Sequence, residues 1–241
     1  MKFLKNSTLI SAAVFTMSCV FISSVHGQQA SEVYIVGAMK HVMWDGQLGA
    51  SIALDTIGDK DHLYGLGPLE YLAGEILILD GRAYSSYVVS DSTMRVEENY
   101  NIKAPFLGYA NISEWQEYEL PRQIQTIDQL EAFVDAMSAN SPRPFMFKVT
   151  GSVKSATIHI VNLSEGSRVS SPEEAHRGLT KYHLGSEEVE IVGFFSTEHQ
   201  AVLTHHDTFV HLHLITSDRK KMGHLDAVDF QPGVLKLYMP K

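Results

Sequence analysis

Hydrophobic and polar residues alternate along most of this chain with a period of two, the spacing that turns one face of a β-strand inward and the other outward. Such runs occupy 75–79, 145–153, 156–161, 189–195, 209–215 and 234–238, and each predicts a strand. One segment changes period: Ile127, Leu130, Phe133, Val134 and Met137 recur at helical spacing behind Thr126 and Gln129, a capping-box pair. An amphipathic helix over 126–140, packed on a sheet, is therefore expected. Leu79-Asp80-Gly81-Arg82 sets an Asp-Gly turn between two apolar runs, so 74–89 reads as a hairpin. Segments 55–68 and 162–185 follow neither period; the first is rich in Gly, the second in Ser, Glu and Arg, and both read as loops. Ser141-Pro142-Arg143-Pro144 interrupts the pattern, dividing the chain into an N-terminal part, 28–140, and a β-rich C-terminal part, 141–241.

The apolar run from Leu9 to Val25 is of another kind. Lys2 and Lys5 precede it and no acid interrupts it, the pattern of a secretory signal peptide, with cleavage expected after Gly27. The product would be exported, periplasmic or secreted, starting at Gln28. The sole cysteine, Cys19, falls inside this segment, so the remainder has no disulfide and no thiol ligand or nucleophile. Thr16-Met17-Ser18 is a poor lipobox, which counts against a lipid anchor at Cys19. No other run approaches the roughly 20 apolar residues that span a bilayer.

Composition adds two points. The formal charge of −9 falls to −11 once Lys2 and Lys5 are removed, and no basic stripe offsets it, which argues against a nucleic-acid partner. Twelve histidines are more suggestive, because imidazole is the side chain most often recruited for metals and for proton transfer near neutral pH.

Three of them form a pattern. On a strand His211 and His213 face the same way, while Leu212 and Leu214 face the opposite layer. A hairpin turning between Asp218 and Arg219 would bring His224 opposite His213. Three neutral imidazoles from paired strands suit a divalent metal with positions left open for water or substrate, although an alternating His-X-His also occurs on solvated strands. His205 and His206 are additional candidates, of which adjacency on a strand allows one at most. His41, His62, His176, His183 and His199 are scattered and read as surface or loop residues. Other enzyme signatures are missing: Gly65-Leu66-Gly67 lacks the third glycine of a dinucleotide fold, and there is no Walker lysine motif and no Gly-X-Ser-X-Gly elbow.

The block 210–218, Val-His-Leu-His-Leu-Ile-Thr-Ser-Asp, with Gly223-His224-Leu225 after it, resembles the metal motif of the acetolactate decarboxylases. Gly65-Leu66-Gly67, Leu72-Ala73-Gly74-Glu75-Ile76 with Asp80-Gly81, the segment 147–153 and Val192-Gly193-Phe194-Phe195 resemble further segments of that family, in order, across roughly 34–234. The resemblance implies an α/β, β-rich protein with a mixed β-sheet unit and a β-barrel-like metal-binding unit, often a homodimer. It implies Zn²⁺ held by His211, His213 and His224, other divalent transition metals suiting three imidazoles as well. It implies Glu75 as the site carboxylate, and loss of CO₂ from 2-acetolactate to give acetoin. Glu75 without the resemblance would read as a hairpin carboxylate. Two departures stand out. Where the family carries an arginine, this chain has His159, with Lys148 or Lys154 as alternative cations; a guanidinium's bidentate fork is lost in either case. Nothing in the 17 residues after His224 corresponds to the family's C-terminal glutamate. A relative acting on another 2-hydroxy-3-oxo acid and a non-catalytic metal-binding protein therefore stand beside the decarboxylase reading.

Overall fold

The computed structural model describes residues 32–241; the signal segment, its cleavage site and Cys19 lie outside the described residues. In chain order come β1 (Tyr34–Val36), α1 (Met39–Met43), β2 (Ile52–Ala53), β3 (Leu63–Pro68), β4 (Glu75–Leu79), β5 (Arg82–Val88), β6 (Met94–Glu98), β7 (Lys103–Ala104), β8 (Leu107–Asn111), β9 (Trp115–Glu119) and α2 (Ile127–Met137). After α2 follow β10 (Phe145–Ile160), α3 (Pro172–Ala175), β11 (Thr180–Leu184), β12 (Glu187–Phe195), β13 (Val210–Thr216), β14 (Met222–Phe230) and β15 (Lys236–Pro240). No helix of the described residues is long and apolar enough to cross a membrane.

Six strands form one sheet in the order β1-β8-β3-β4-β5-β6. The second sheet is organised by β10, sixteen residues long. Its N-terminal half pairs with β12 and its C-terminal half with β14, while β12 pairs with β13 and β13 with β14. That circuit closes on itself, so β10, β12, β13 and β14 make a four-stranded barrel, extended on the outer edges of β10 by β11 and by β15 with β9. Closure needs a bent strand. Gly151 supplies part of it at φ 131°, with a bulge between Val153 and Ser155 in the ladder to β14. The same irregularity explains why the pattern breaks there: 145–153 and 156–161, read as two strands, are one.

The β-rich fold with a barrel-like unit holds, but the mixed sheet is antiparallel in every ladder. Short connections join β3, β4, β5 and β6 in antiparallel succession, and the longer link from β1 to β3, which contains α1, leaves both strands antiparallel to the β8 that lies between them. The 74–89 hairpin stands, turning on Asp80 and Gly81, both at positive φ. Segment 55–68 is not all loop, because Leu63–Pro68 is the buried strand β3. Its glycines are the reason it passes for a loop and the reason it fits: a Cβ on Gly67 would lie 2.5 Å from the Phe106 carbonyl oxygen. Likewise 162–185 contains α3 and β11. Helix α2 is capped as expected, Thr126 accepting from the Gln129 N–H at 3.3 Å, and ends at Met137.

Two apolar layers result. Phe147, Val149, Ile158, Ile191, Leu212, Leu214 and Leu225 fill the barrel, with Leu130 and Val134 of α2 packed on it. Outward-facing Met146, Val192, Phe194, Ile215 and Met222 pack against Leu66, Leu77, Leu79 and Tyr84 of the first sheet. The histidines share this outward face.

Candidate metal centre

Strand register assembles the cluster. His213 pairs with His224 across β13 and β14, as the spacing predicts, and His224 pairs with His159 across β14 and β10. Directly paired residues lie on the same side of a sheet, so these rings and His211 gather between the barrel and the first sheet. Ring centroids lie 5.2 Å apart for His211–His213, 5.2 Å for His211–His224 and 5.7 Å for His213–His224. Glu75, the first residue of β4, enters from the opposite layer and is 3% exposed. One of its oxygens accepts the Val161 N–H at 3.1 Å, and the other lies 3.7 Å from His213 Nε2. Met39, Met43, Leu72, Phe106 and Val161 complete an apolar wall around a small cavity that Glu75, His159, His176, His205, His211 and His224 also line.

Hydrogen bonds fix the orientation of most rings. His211 donates from Nδ1 to the Leu203 carbonyl at 2.9 Å, leaving Nε2 with its lone pair. Asp226 Oδ1 accepts from Nδ1 of His159 at 2.6 Å and from Nδ1 of His224 at 3.2 Å, while its other oxygen faces the Lys181 ammonium at 3.1 Å. Neither nitrogen of fully buried His213 has a hydrogen-bond partner. A buried imidazole with two unsatisfied nitrogens is costly unless something absent from the chain itself pairs with it.

Burial sets the protonation states. It pushes His224 down to about 4 and His205 down to about 3, with neighbouring imidazoles adding to the effect, and it drives His211 and His213 well below the ordinary histidine value. His159 is also lowered by burial, against the pull of Asp226. For Asp226 the hydrogen bonds from His159 and His224 outweigh burial and keep it ionised. Glu75 goes the other way: burial raises it well above the ordinary carboxylate value, only partly opposed by the Val161 N–H. Neutral imidazoles, open nitrogens and few competing charges fit a late divalent transition metal.

These shifts have a measurable consequence in chelator-treated protein. Imidazoles that fold neutral must take up protons to unfold at acid pH, so their stabilising contribution is full above about 6.5 and is lost as pH falls toward their folded values. His224 alone would account for about 3 kcal/mol by pH 4. Glu75 acts in the opposite sense above its ordinary value, but one carboxyl faces several imidazoles. Denaturant unfolding at a series of pH values should show stability falling steeply from pH 7 to 4; a flat profile would contradict the neutral cluster.

The expected residues do not all converge. His211, His213, His224, Glu75 and His159 do. Lys148 does not: its ammonium lies 4.8, 5.3 and 5.5 Å from the ring centres of Tyr238, Trp115 and Tyr64. It shares the outward face with His213, but Val192 intervenes between them in the register, so the side chain ends away from the cavity. Lys154 pairs with Asp229 at 2.9 Å on the surface. At 159 burial lowers the imidazole below the ordinary histidine value against the pull of Asp226, which favours the neutral ring over a cation. Conversely, His176 lines the cavity, and His205 comes within 2.8 Å of His224, nitrogen to nitrogen. Asp226 went unnoticed in the sequence, although His224-X-Asp226 repeats the same-face spacing of His211-X-His213.

Fold and site together define a β-barrel protein with a buried polyhistidine centre backed by a carboxyl group. The family model for alpha-acetolactate decarboxylase matches residues 33–239, and the chain belongs to that family. Among solved structures, alpha-acetolactate decarboxylase from Bacillus subtilis strain 168 is 20% identical, with 87% of this chain and 85% of that one covered at a TM-score of 0.72. A Staphylococcus aureus protein of unknown function, described as similar to alpha-acetolactate decarboxylase, is 18% identical over 87% and 85% of the two chains, with a TM-score of 0.73. At these identities the likeness establishes the fold. No curated protein matches the sequence.

Proposed function

We propose that this chain removes CO₂ from 2-acetolactate to give acetoin, using a zinc ion held by His211, His213 and His224. The observation that carries the reading is the buried junction of these imidazoles with Glu75. A divalent ion held there would supply positive charge to the substrate oxygens as CO₂ leaves. The rest is the work of side chains. Loss of CO₂ leaves an electron pair on the substrate carbon, and a proton must replace the lost group. Burial favours the protonated form of Glu75, so its carboxyl, oriented at the cavity wall by the Val161 N–H, would give that proton. Solvent restores the proton after product leaves. His159, with Nδ1–H committed to Asp226, presents Nε2 within 4.0 Å of Glu75 and can accept a hydrogen bond from a substrate hydroxyl. Met39, Leu72 and Phe106 exclude water from the reacting carbon. We also read the N-terminal segment as a signal for export.

Acetoin formation from racemic acetolactate, before and after chelation and again after zinc addition, tests the reading. Turnover that disappears and returns is expected. The neutral His159 favours a second reading, in which the family fold acts on a different 2-hydroxy-3-oxo acid. A folded, zinc-loaded protein inert toward acetolactate but active on another member of an acetohydroxy acid panel would select it.

A further inference from the structure

The loop between β12 and β13 brings a fourth imidazole to the centre. His205 is half-buried although it lies in a loop, and its Nε2 is 2.8 Å from Nε2 of His224. Its ring meets those of His224 and His211 edge to face, with centroids at 4.8 and 5.5 Å. One nitrogen from each of His205, His211 and His224 falls within a common 4.8 Å. Because His224 donates its Nδ1–H to Asp226, its Nε2 carries the lone pair; the His205 Nε2, placed to hydrogen-bond to it in the metal-free chain, belongs to the same group of three nitrogens. Convergence of this kind is how ligands gather around a cation.

The loop is built to hold that ring in place. The His199 carbonyl accepts from the N–H groups of Val202, Leu203 and Thr204. The carbonyls of Ala201 and Val202 take the first N–H groups of α1, at 2.7 and 3.0 Å. Leu203, next in line, supplies the carbonyl that orients His211, and buried Thr204 precedes His205 directly. One turn therefore both positions a ligand and contributes a further nitrogen, the support that a precise metal site requires.

We propose that His205 is a direct ligand of the metal, joining His211 and His224, with which its nitrogen shares a common 4.8 Å, and His213 of the motif, so that four imidazoles hold the resting ion and substrate would add as a fifth ligand. The inference rests on the metal-centre reading above and adds the fourth ligand. Two measurements test it on the full chain. X-ray absorption on the zinc-loaded protein should count four imidazoles; a count of three overturns the proposal without touching the metal centre. Competition against a chromophoric chelator should show zinc affinity falling more than about 100-fold in His205→Ala, beyond the loss of about 10–100-fold expected of a residue that only orients His224, with His183→Ala, on an exposed residue, unchanged. His205→Gln, which keeps a polar side chain of similar reach, serves if the alanine variant does not fold. In the cobalt-loaded form either His205 variant should also change the visible absorption bands. Wild-type affinity and an unaltered cobalt spectrum in a folded His205 variant would overturn the assignment, even if activity fell. A wild-type chain that binds neither zinc nor cobalt would remove the metal centre itself, and the fourth ligand with it.

Discussion

His211→Ala should lose its metal and its turnover together. His211 is buried, is oriented by the Leu203 carbonyl, and belongs both to the sequence motif and to a group of three imidazole nitrogens within 4.8 Å of one another. Replacing a partner that merely orients a ligand costs about 10–100-fold in metal affinity, so removing the ligand should cost more than about 100-fold. Metal content after gel filtration, measured beside acetoin formation, checks both halves. A variant that keeps stoichiometric zinc would show that His211 does not ligate it. The protein should remain folded, because the deleted ring leaves behind neighbours that are themselves neutral.

Glu75→Gln should separate chemistry from metal binding. The amide is nearly isosteric and still accepts the Val161 N–H at the buried position, but it has no acidic proton to give. General acid catalysis commonly contributes about 10²–10⁴-fold, and a loss of turnover in that range with unchanged zinc content is expected. Single-turnover measurement under saturating substrate distinguishes the outcomes. Turnover within a few-fold of the parent would reduce Glu75 to a structural carboxyl, and loss of zinc would make it a ligand.

The two predictions draw on parts of the molecule that the sequence exposes unequally. The pairing of His213 with His224 is legible because two strands of period two flank a polar turn, and the register follows from counting. Helix α2 is legible for the same reason, its cap and its period agreeing. Strand β3 is not, since Gly65, Gly67 and Pro68 imitate a loop, and the backbone approach that requires glycine is visible only once β8 lies alongside. His205 is legible only as one of two adjacent candidates: it belongs to no strand, and its place depends on how 199–204 docks on α1. Asp226 is hidden by a bulge, with Leu225 and Ala227 pairing to Ile158 and Thr157 while Asp226 itself is passed over. Lys148 misleads because chemistry and facing are right and only the distance across the sheet is wrong.

The proposed ligands His211, His213 and His224, with His205, come from one stretch of the chain, the β13–β14 hairpin and the loop before it, whereas Glu75 and His159 reach them only once β4 and β10 are in place. That hairpin carries the imidazoles, and barrel closure adds the burial that keeps them neutral and the carboxyl group that faces them. Retention of an ion is thus coupled to barrel closure. Where several divalent ions compete for similar imidazole sets, the ion acquired is the one available in the compartment where that closure is completed.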